Sequence, residues 1–264
     1  MPTRHALRPT TLILAVAAAL PAASALPAFA DPVAWKPFAP GIERASIESP
    51  GETAAPFRLA AFRIDLARFE PRAVLAKDHG GPIATAEALA DATGATLVVN
   101  GPFFDERDVP LGLLVSSGRR LRPLRKADWG VLYVAGGRAA LLHTTEWKAA
   151  PPERVTFAIQ VGPRTVVRGR VQRLKPQVAR RAAVCVPPGG TSLVVAATDL
   201  GVAESNDLAR LMAAPAAEGG LGCADALMMD GGPSAQLSAR AGSTRVEVHG
   251  GRGVPAAIGF FERR

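Results

Sequence analysis

The sequence contains few of the residues on which several common protein classes depend. Its 264 residues include two cysteines and one tyrosine, and aromatic residues make up 5% of the chain. Two cysteines are too few for a zinc site made of cysteine or for a disulfide-rich miniprotein. The chain also lacks a G-x-S-x-G nucleophile turn, a Walker loop and a G-x-G-x-x-G dinucleotide turn. These absences argue against the hydrolase, nucleotide-binding and dinucleotide-binding classes that such motifs define.

The remaining composition is that of a globular protein. Hydrophobic residues make up 48% of the chain and charged residues 20%. This is too apolar for a disordered chain, and the glycines follow no collagen-like period. A chain of this length can bury roughly 70% of the surface that its unfolded form exposes. It therefore needs no disulfide framework in order to fold.

The first thirty residues are typical of a secretory signal peptide. Arg4 and Arg8 form a positively charged start, residues 12–20 are an unbroken apolar run, and Ala28-Phe29-Ala30 has the small-x-small pattern of a cleavage site. An uncleaved membrane anchor is the alternative, although prolines interrupt the apolar stretch before the roughly 20 residues that a span needs. No later stretch is long and apolar enough to span a bilayer. We therefore expect a periplasmic or secreted protein without an integral membrane span after processing.

Export sets expectations for the partners of the protein. Removal of Arg4 and Arg8 changes the formal net charge from +8 to +6, which suits anionic partners such as phosphorylated glycans. No basic run is interleaved with aromatic residues, so nucleic acid is not an expected partner. In an oxidising compartment Cys185 and Cys223 either form a disulfide or remain buried free thiols, and the sequence leaves both alternatives open.

The chain after the leader predicts one α+β domain. Residues 31–56 are rich in proline and have little periodicity, which indicates an extended N-terminal arm. Residues 57–264 contain no repeat or linker and are predicted to form a single domain dominated by short strands. About two helices are expected, at 83–93 and 204–214, and Ser205 or Asn206 is available to cap the second. Helices and strands do not alternate regularly, which favours α+β over a doubly wound sheet.

Short apolar or alternating runs predict the strands of this domain. The predicted strands lie at 58–66, 95–99, 111–116, 130–134, 138–142, 155–161, 164–168, 181–186, 192–198, 226–229 and 256–261.

The sharpest local feature is the turn after the strand predicted at 226–229. Asp230 ends this strand and is followed by Gly231 and Gly232, with Ser234 shortly after. An aspartate in this position lies at the rim of a sheet, and the glycines leave the backbone open to a ligand. The alternative is an ordinary corner in which Asp230 bonds to the amides of its own turn.

Three other corners have a similar composition. Asn100 ends a buried strand and is shortly followed by Phe104, so that the amide could orient a sugar hydroxyl and the ring could stack on a sugar face. Gln160 and Gly162 end another strand, and Arg181 opens the strand that carries Cys185. An arginine at a strand edge can hold phosphate with two hydrogen bonds. Each corner also has a structural alternative, as a strand cap, a core aromatic or a solvent-exposed arginine.

Seven short segments, four of which carry these corners, follow one another along the chain. They are Asn100-Gly101-x-Phe103-Phe104, Pro110-x-Gly112-Leu113, Gln160-x-Gly162-Pro163, Arg181-x-Ala183-Val184, Gly222-Cys223-x-x-Ala226-Leu227, Asp230-Gly231-Gly232-x-Ser234 and Val254-Pro255-Ala256-Ala257-Ile258-Gly259. In this order the chain resembles the phosphodiester glycosidase family over about residues 58–262. Proline stands at positions 102 and 233, where the family more often has glycine, which stiffens both turns.

The resemblance implies a hydrolase that cleaves the glycosidic bond of a sugar-1-phosphodiester and releases free sugar and a phosphate monoester. The implied substrate is a small molecule or glycan that bears a phosphodiester. The expected catalytic residues are Asp230, Arg181 and Asn100. The expected substrate-binding residues are Gln160, Gly162, Phe104, Gly231, Gly232 and Ser234.

Two questions about this function stay open in the sequence. No motif for a metal or cofactor is present, so none is expected, although Asp105, Asp199 and Asp230 would be available to a divalent cation. Two non-catalytic alternatives also stay open. One is an envelope protein that binds phosphorylated or other anionic glycans, and the other is an assembly factor for exopolysaccharide.

Overall fold

The computed structural model describes Met1 and residues 31–263. The predicted signal peptide falls, apart from Met1, on residues outside this range. The predicted α+β class is confirmed, because the described chain consists of many short antiparallel strands with a few helices.

Twenty strands are present in the described residues. They are β1 Lys36–Ala39, β2 Ile42–Ser49, β3 Phe57–Asp65, β4 Phe69–Leu75, β5 Leu97–Asn100, β6 Leu114–Ser116, β7 Arg119–Arg122, β8 Gly130–Ala135, β9 Arg138–His143, β10 Val155–Val161, β11 Arg164–Val167, β12 Arg170–Val171, β13 Val178–Ala179, β14 Ala182–Val186, β15 Ser192–Leu200, β16 Ala203–Glu204, β17 Asp225–Met228, β18 Leu237–Ala241, β19 Thr244–Val248 and β20 Ala256–Glu262. The helices are α1 Ala86–Thr93, α2 Thr144–Ala149 and α3 Ser205–Ala213, with short 3-10 turns at Ala76–His79, Ala216–Glu218 and Gly232–Ser234.

The strands form three main sheets around one core. The largest has eight strands in the order β1-β2-β3-β15-β14-β17-β11-β12. Two five-stranded sheets have the orders β7-β6-β10-β8-β9 and β19-β18-β5-β20-β4, and β13 and β16 form a small separate pair. Apolar side chains from all three main sheets meet in the largest hydrophobic cluster. The three sheets therefore enclose a shared interior.

The central strands of the eight-stranded sheet are covered on both faces. Along β14, Ala182, Val184 and Val186 pack into the shared interior, whereas Ala183 and Cys185 pack on the opposite face in the cluster that includes α3. A strand that is buried on both faces needs apolar residues at every position. This explains why β14 is a continuous apolar run in the sequence instead of an alternating pattern.

Two of the α-helices were predicted, and each is capped at its start. The hydroxyl of Thr85 accepts a hydrogen bond from the Ala88 N–H at 3.1 Å, which places the start of α1 three residues later than predicted. The carboxylate of Glu204 caps α3, where Ser205 or Asn206 was expected. A carboxylate here accepts several of the free N–H groups of the first turn and also favours the positive end of the helix dipole.

Several elements were not predicted. The short helix α2 is additional to the two expected helices. The strands missing from the expected set after residue 57 are β4, β7, β12, β13, β16, β18 and β19. The proline-rich arm contains β1 and β2, and β2 pairs with β3 along its whole length. Residues of the arm therefore belong to the eight-stranded sheet. A domain boundary at residue 57 stays a prediction.

A disulfide joins Cys185 to Cys223, with the two Cα atoms 5.5 Å apart. The bond links β14 to the loop that precedes β17. Of the two alternatives that the sequence left open, a disulfide or two buried free thiols, the structure has the disulfide. Within residues 31–263, none of the helices combines the length and the apolar character that a membrane span requires.

Candidate active site

The pairing of β14 with β17 brings the corners of Arg181 and Asp230 to one end of the eight-stranded sheet. The strands are antiparallel, so that the start of β14 lies beside the end of β17. The pairing continues past both strands, because the N–H of Gly232 donates to the carbonyl oxygen of Arg180 at 2.8 Å. The turn after β17 is therefore held against the residues that precede β14.

Asn100, at the end of β5, fixes the same turn from the other side. Its side chain is fully buried, and Nδ2 donates to the carbonyl oxygen of Asp230 at 2.8 Å. The Asn100 Oδ1 accepts from the N–H of Gln236 at 3.2 Å, and the N–H of Asp230 donates to the carbonyl oxygen of Gly101 at 3.4 Å. In this geometry the side chain of Asn100 holds the backbone of Asp230 in place. Its expected catalytic role stays a prediction.

Two glycines permit the close approach of these backbone segments. A Cβ atom on Gly101 would lie 2.5 Å from the carbonyl oxygen of Ala256 in β20. A Cβ atom on Gly231 would lie 2.9 Å from the carbonyl oxygen of Arg180. Only glycine, which has no Cβ, fits both places without displacing backbone.

The carboxyl group of Asp230 is partly buried and carries a raised pKa. Burial raises the pKa of Asp230 above the usual aspartate value. The Ser234 side chain, the backbone N–H of Gly231 and the positive charge of Arg252 act in the opposite direction, without cancelling the effect of burial. A carboxyl group perturbed by burial and by specific charged partners is a candidate for chemistry.

Arg181 is a buried cation beneath the glycine turn. Its Nε donates to the carbonyl oxygen of Ala203 at 3.3 Å, and its Nη2 donates to Ser205 Oγ at 3.0 Å and to the carbonyl oxygen of Gln177. A Cβ atom on Gly231 would lie 3.7 Å from Nη1. Burial lowers the pKa of Arg181, and the nearby carboxylate of Glu204 acts in the opposite direction. The guanidinium is thus anchored on one side and directed at the turn on the other.

Arg252 is a second arginine at the site, and sequence-based prediction missed it. Its guanidinium carbon lies 4.7 Å from the centroid of the Phe104 ring, and its Nη2 donates to Asp108 Oδ1 at 3.0 Å. Phe104 therefore lies at the site, with a cation over its face. Glycines surround Arg252 in the segment 250–253, and an arginine set among glycines was the signal available in the sequence.

Gln236 was also missed, and it ties the surrounding loops together. Its buried Oε1 accepts from the N–H of Ala86 at 2.7 Å, in the first turn of α1. Its Nε2 donates to the carbonyl oxygens of Arg252 at 2.9 Å and of Ser234 at 3.2 Å. A single amide residue before a strand has no distinctive pattern, so the sequence carried no signal for this role.

Gln160 supports the loop that precedes the site. Its Oε1 accepts from the N–H groups of Leu113 at 3.0 Å and of Arg125 at 2.9 Å. Its Nε2 donates to the carbonyl oxygen of Arg125 at 2.8 Å and to Thr144 Oγ1 at 2.9 Å. All four of its usual hydrogen-bonding positions are therefore occupied by the protein. A direct contact of Gln160 with substrate stays a prediction.

Gly162 packs against a tryptophan behind the site. A Cβ atom on Gly162 would lie 2.9 Å from Cδ1 of Trp129, and the Trp129 ring packs against Phe103 at 5.1 Å between centroids. Gly162 therefore supports the loop that carries Phe104. Its expected contact with substrate stays a prediction as well.

The remaining predicted residues complete the turn. Gly232 has a φ of 58°, and a Cβ atom on it would meet no atom within 4 Å, so this part of the turn is open. Ser234 is buried, with its side chain toward Asp230. The structure thus brings together Asn100, Phe104, Arg181 and the whole turn from Asp230 to Ser234, while Gln160 and Gly162 lie in a supporting layer. Across the described part of the chain, no group of three or more His, Cys, Asp or Glu residues is placed to hold a metal ion.

This chain is similar to known proteins in sequence over part of its length and in structure over most of it. The chain is 30% identical over 93 residues to the uncharacterized protein YigE of Escherichia coli K12, a match that covers 31% of this chain and 36% of that protein. A hypothetical protein from Synechocystis has a similar structure, with a TM-score of 0.60 and 16% identity over 89% of this chain and 64% of that one. This chain therefore spans less than two thirds of either relative.

A further solved structure with a fold similar to that of this chain belongs to a named enzyme. The catalytic domain of zebrafish N-acetylglucosamine-1-phosphodiester alpha-N-acetylglucosaminidase, auto-inhibited by its pro-peptide, superposes with a TM-score of 0.63. The sequences are 14% identical, and the match covers 88% of this chain and 87% of that domain. The sequence model of the family described as "NAGPA: Phosphodiester glycosidase" matches residues 93–261, which contain every corner of the site. The chain belongs to the phosphodiester glycosidase family.

Proposed function

We propose that the protein is an exported hydrolase that cleaves the glycosidic bond of a sugar-1-phosphodiester. The convergence of Asp230, Arg181 and Arg252 at one glycine turn carries this proposal. In such a reaction positive charge develops at the anomeric carbon and negative charge on the departing phosphate. A carboxylate can stabilise the first charge, and two guanidinium groups can stabilise the second. The structural similarity to the zebrafish enzyme, which is named for N-acetylglucosamine-1-phosphodiesters, supports the same substrate class.

The reaction breaks the bond between the anomeric carbon of the sugar and a phosphodiester oxygen. Water supplies the hydroxyl group of the free sugar, and its proton leaves for solvent or for the departing phosphate. The leaving group is a phosphate monoester, whose second pKa is about 6, so it departs far more easily than a sugar alkoxide. A strong general acid is therefore less necessary than in an ordinary glycosidase. The protein must mainly stabilise charge.

The two kinds of charged group divide this task. Arg181 and Arg252 stabilise the negative charge that develops on the departing phosphate, and the open backbone at Gly232 admits the phosphate to them. Asp230 faces the positive charge that develops at the anomeric carbon, and it acts there in its ionised form. Phe104 offers an aromatic face for the sugar. The chemistry assigned to these residues requires no metal or cofactor.

We propose export to the periplasm or the medium on two grounds. The first is the leader-like sequence of residues 1–30, and the second is the Cys185–Cys223 disulfide, a bond that persists in oxidising compartments. In cells that express the full chain, we expect the mature protein to begin after Ala30 and to be recovered outside the cytoplasm. N-terminal sequencing of the protein from each fraction tests this. An unprocessed chain confined to the cytoplasm would contradict it.

Asp230→Asn keeps the shape of the side chain and removes its charge. We expect turnover of a sugar-1-phosphodiester to fall by on the order of 10²-fold or more, because the variant no longer stabilises the cationic transition state. Release of reducing sugar in the presence of EDTA measures the effect. Asp225→Asn is the matched control, since burial also raises the pKa of Asp225, which begins β17, whereas Asp230 lies in the turn after the end of that strand.

Two outcomes would count against this role. Near-normal turnover in a folded Asp230→Asn protein would remove Asp230 from the chemistry. If the unaltered protein binds the phosphodiester saturably but releases no sugar, the non-catalytic glycan-binding function holds instead.

Arg181→Lys keeps the positive charge and loses the planar fork of donors. We expect at least a tenfold rise in KM or an equal fall in kcat, because the single ammonium group of lysine cannot keep the contacts with Ala203, Gln177 and Ser205 and also reach the turn that Nη1 faces. Arg180→Lys is the control, because within residues 31–263 the one hydrogen bond from the Arg180 side chain goes to the carbonyl oxygen of Thr198. Circular dichroism and thermal unfolding show whether each variant folds. Unchanged kcat and KM in folded Arg181→Lys would exclude Arg181 from the phosphate site.

The pKa of Asp230 predicts the acidic limb of the pH profile. Burial raises this pKa, so kcat/KM should rise with pH around a value above about 4, the usual value for aspartate. Arg252→Gln removes a positive charge that lowers the pKa of Asp230, and it should move the limb to still higher pH. Arg245→Gln is the control, because Arg245 is also half exposed and also faces a single aspartate. If the acidic limbs of Arg252→Gln and Arg245→Gln lie at the same pH, the charge of Arg252 does not lower the pKa of Asp230.

A further inference from the structure

Two adjoining grooves lie outside the site and share part of their lining. The first has a volume of about 270 Å³ and the second about 620 Å³. Leu75, Lys77 and Leu121 line both, so the grooves form one continuous depression. We call this depression the basic groove, after its positively charged lining residues Lys77, Arg107, Arg119, Arg120 and Arg122.

The charge of the basic groove is poorly compensated. Two acidic residues, Asp78 and Asp108, line it beside five cationic ones. Among the residues that the structure describes, Lys77, Arg119, Arg120 and Arg122 form no ion pair with a carboxylate. Like charges gathered around a concave surface raise the local potential and attract anions.

Protection of a sheet edge does not account for this charge. β7 is the edge strand of its sheet, and arginines on an edge strand discourage pairing with another chain. A register shift in the pairing of β6 with β7 already disrupts this edge. Lys77 and Arg107 come from two other segments, a 3-10 turn and the loop after Phe104, and face the same groove. Edge protection gives no reason for these two cations.

The basic groove adjoins the proposed active site through one short loop. Asp108 lines the groove and also accepts the hydrogen bond from Arg252 at 3.0 Å. Arg252 in turn lies over Phe104, and Phe104 pairs across the loop with Pro110, which also lines the groove. A ligand in the groove therefore lies on the outer side of the loop whose inner side carries the site.

We propose that the basic groove binds the part of the substrate beyond the scissile phosphate, and that this part is a polymer with repeated phosphodiester groups. This rests on the proposed function of the site. The cations bind successive phosphates, while Leu75, Leu121 and Pro110 form an apolar floor for the carbon units between them. None of the described residues that line the groove is aromatic, whereas single-stranded nucleic acids are usually held by stacking on aromatic rings. A phosphate-bearing polyol or glycan chain fits this lining better.

Binding of synthetic poly(glycerol phosphate) at physiological ionic strength tests the proposal, by calorimetry on the purified protein that carries Asp230→Asn. The added double substitution Arg119→Gln/Arg120→Gln should weaken binding by about tenfold, because two charge-assisted contacts are lost. The control double substitution Arg168→Gln/Arg170→Gln removes the same charge from exposed positions at the β11–β12 end of the eight-stranded sheet, and should leave the affinity unchanged. Neutral dextran and single-stranded DNA of equal charge serve as comparison ligands.

Several results would overturn the proposal. They are an absence of polymer binding, an equal loss of affinity in both double variants, and binding of the DNA as tight as that of the polymer. With the native Asp230, hydrolysis of a small sugar-1-phosphodiester should be the same in Arg119→Gln/Arg120→Gln as in the unaltered protein, and a loss there would also overturn it. Failure of the proposed function has a different signature, because sugar release would be absent while binding in the groove persists.

Discussion

A buried hydrogen bond from the side chain of Asn100 to the backbone of Asp230 is the contact on which the site depends. It joins the end of a strand in one five-stranded sheet to the turn that leaves the eight-stranded sheet. Both ends of the Asn100 amide are paired in the interior, and an unpaired amide there would cost about 1–3 kcal/mol. Displacing the turn would therefore be unfavourable by this amount in the observed arrangement of the sheets. Gln236 extends the same constraint to α1 and to the loop of Arg252.

Keeping Asp230 and Arg181 charged where they lie costs free energy of folding, which is a reason to connect these charges with function. Burial raises the pKa of Asp230 and lowers that of Arg181, so both environments disfavour the charged forms. Arg181 is compensated by the carbonyl oxygen of Ala203 in β16, by the hydroxyl of Ser205 at the start of α3 and by the nearby Glu204. Its third nitrogen is directed at a glycine turn that no side chain fills. An anionic ligand at that turn would supply the missing partner.

The elements predicted correctly are those whose signal is local. The helix α1 lies between Pro82 and Gly94, which are local signals for the start and the end of a helix. β14, β15 and β17 are short apolar runs of the kind that burial on both faces requires. The strands β18 and β19 were missed although β19 alternates, because charged residues on their outer face dilute the apolar signal. β1 and β2 were missed because the prolines in residues 31–56 indicated an irregular segment, although β2 itself contains none. β1 contains Pro37 and lies at the edge of its sheet, where a proline is tolerated. Their pairing with β3 is a long-range event that composition does not report.

The sequence by itself determined the fold class, the family and the corners at 100, 181 and 230, because each corner is marked by a local pattern. Asn100 and Asp230 each end an apolar run and are followed by glycine, and Arg181 opens an apolar run. Only the tertiary structure decided which corners meet. It placed Gln160 behind the site, brought Arg252 over Phe104 and paired the two cysteines. These are contacts between segments far apart in the chain. Their partners depend on strand register and sheet packing, which no local pattern of residues encodes.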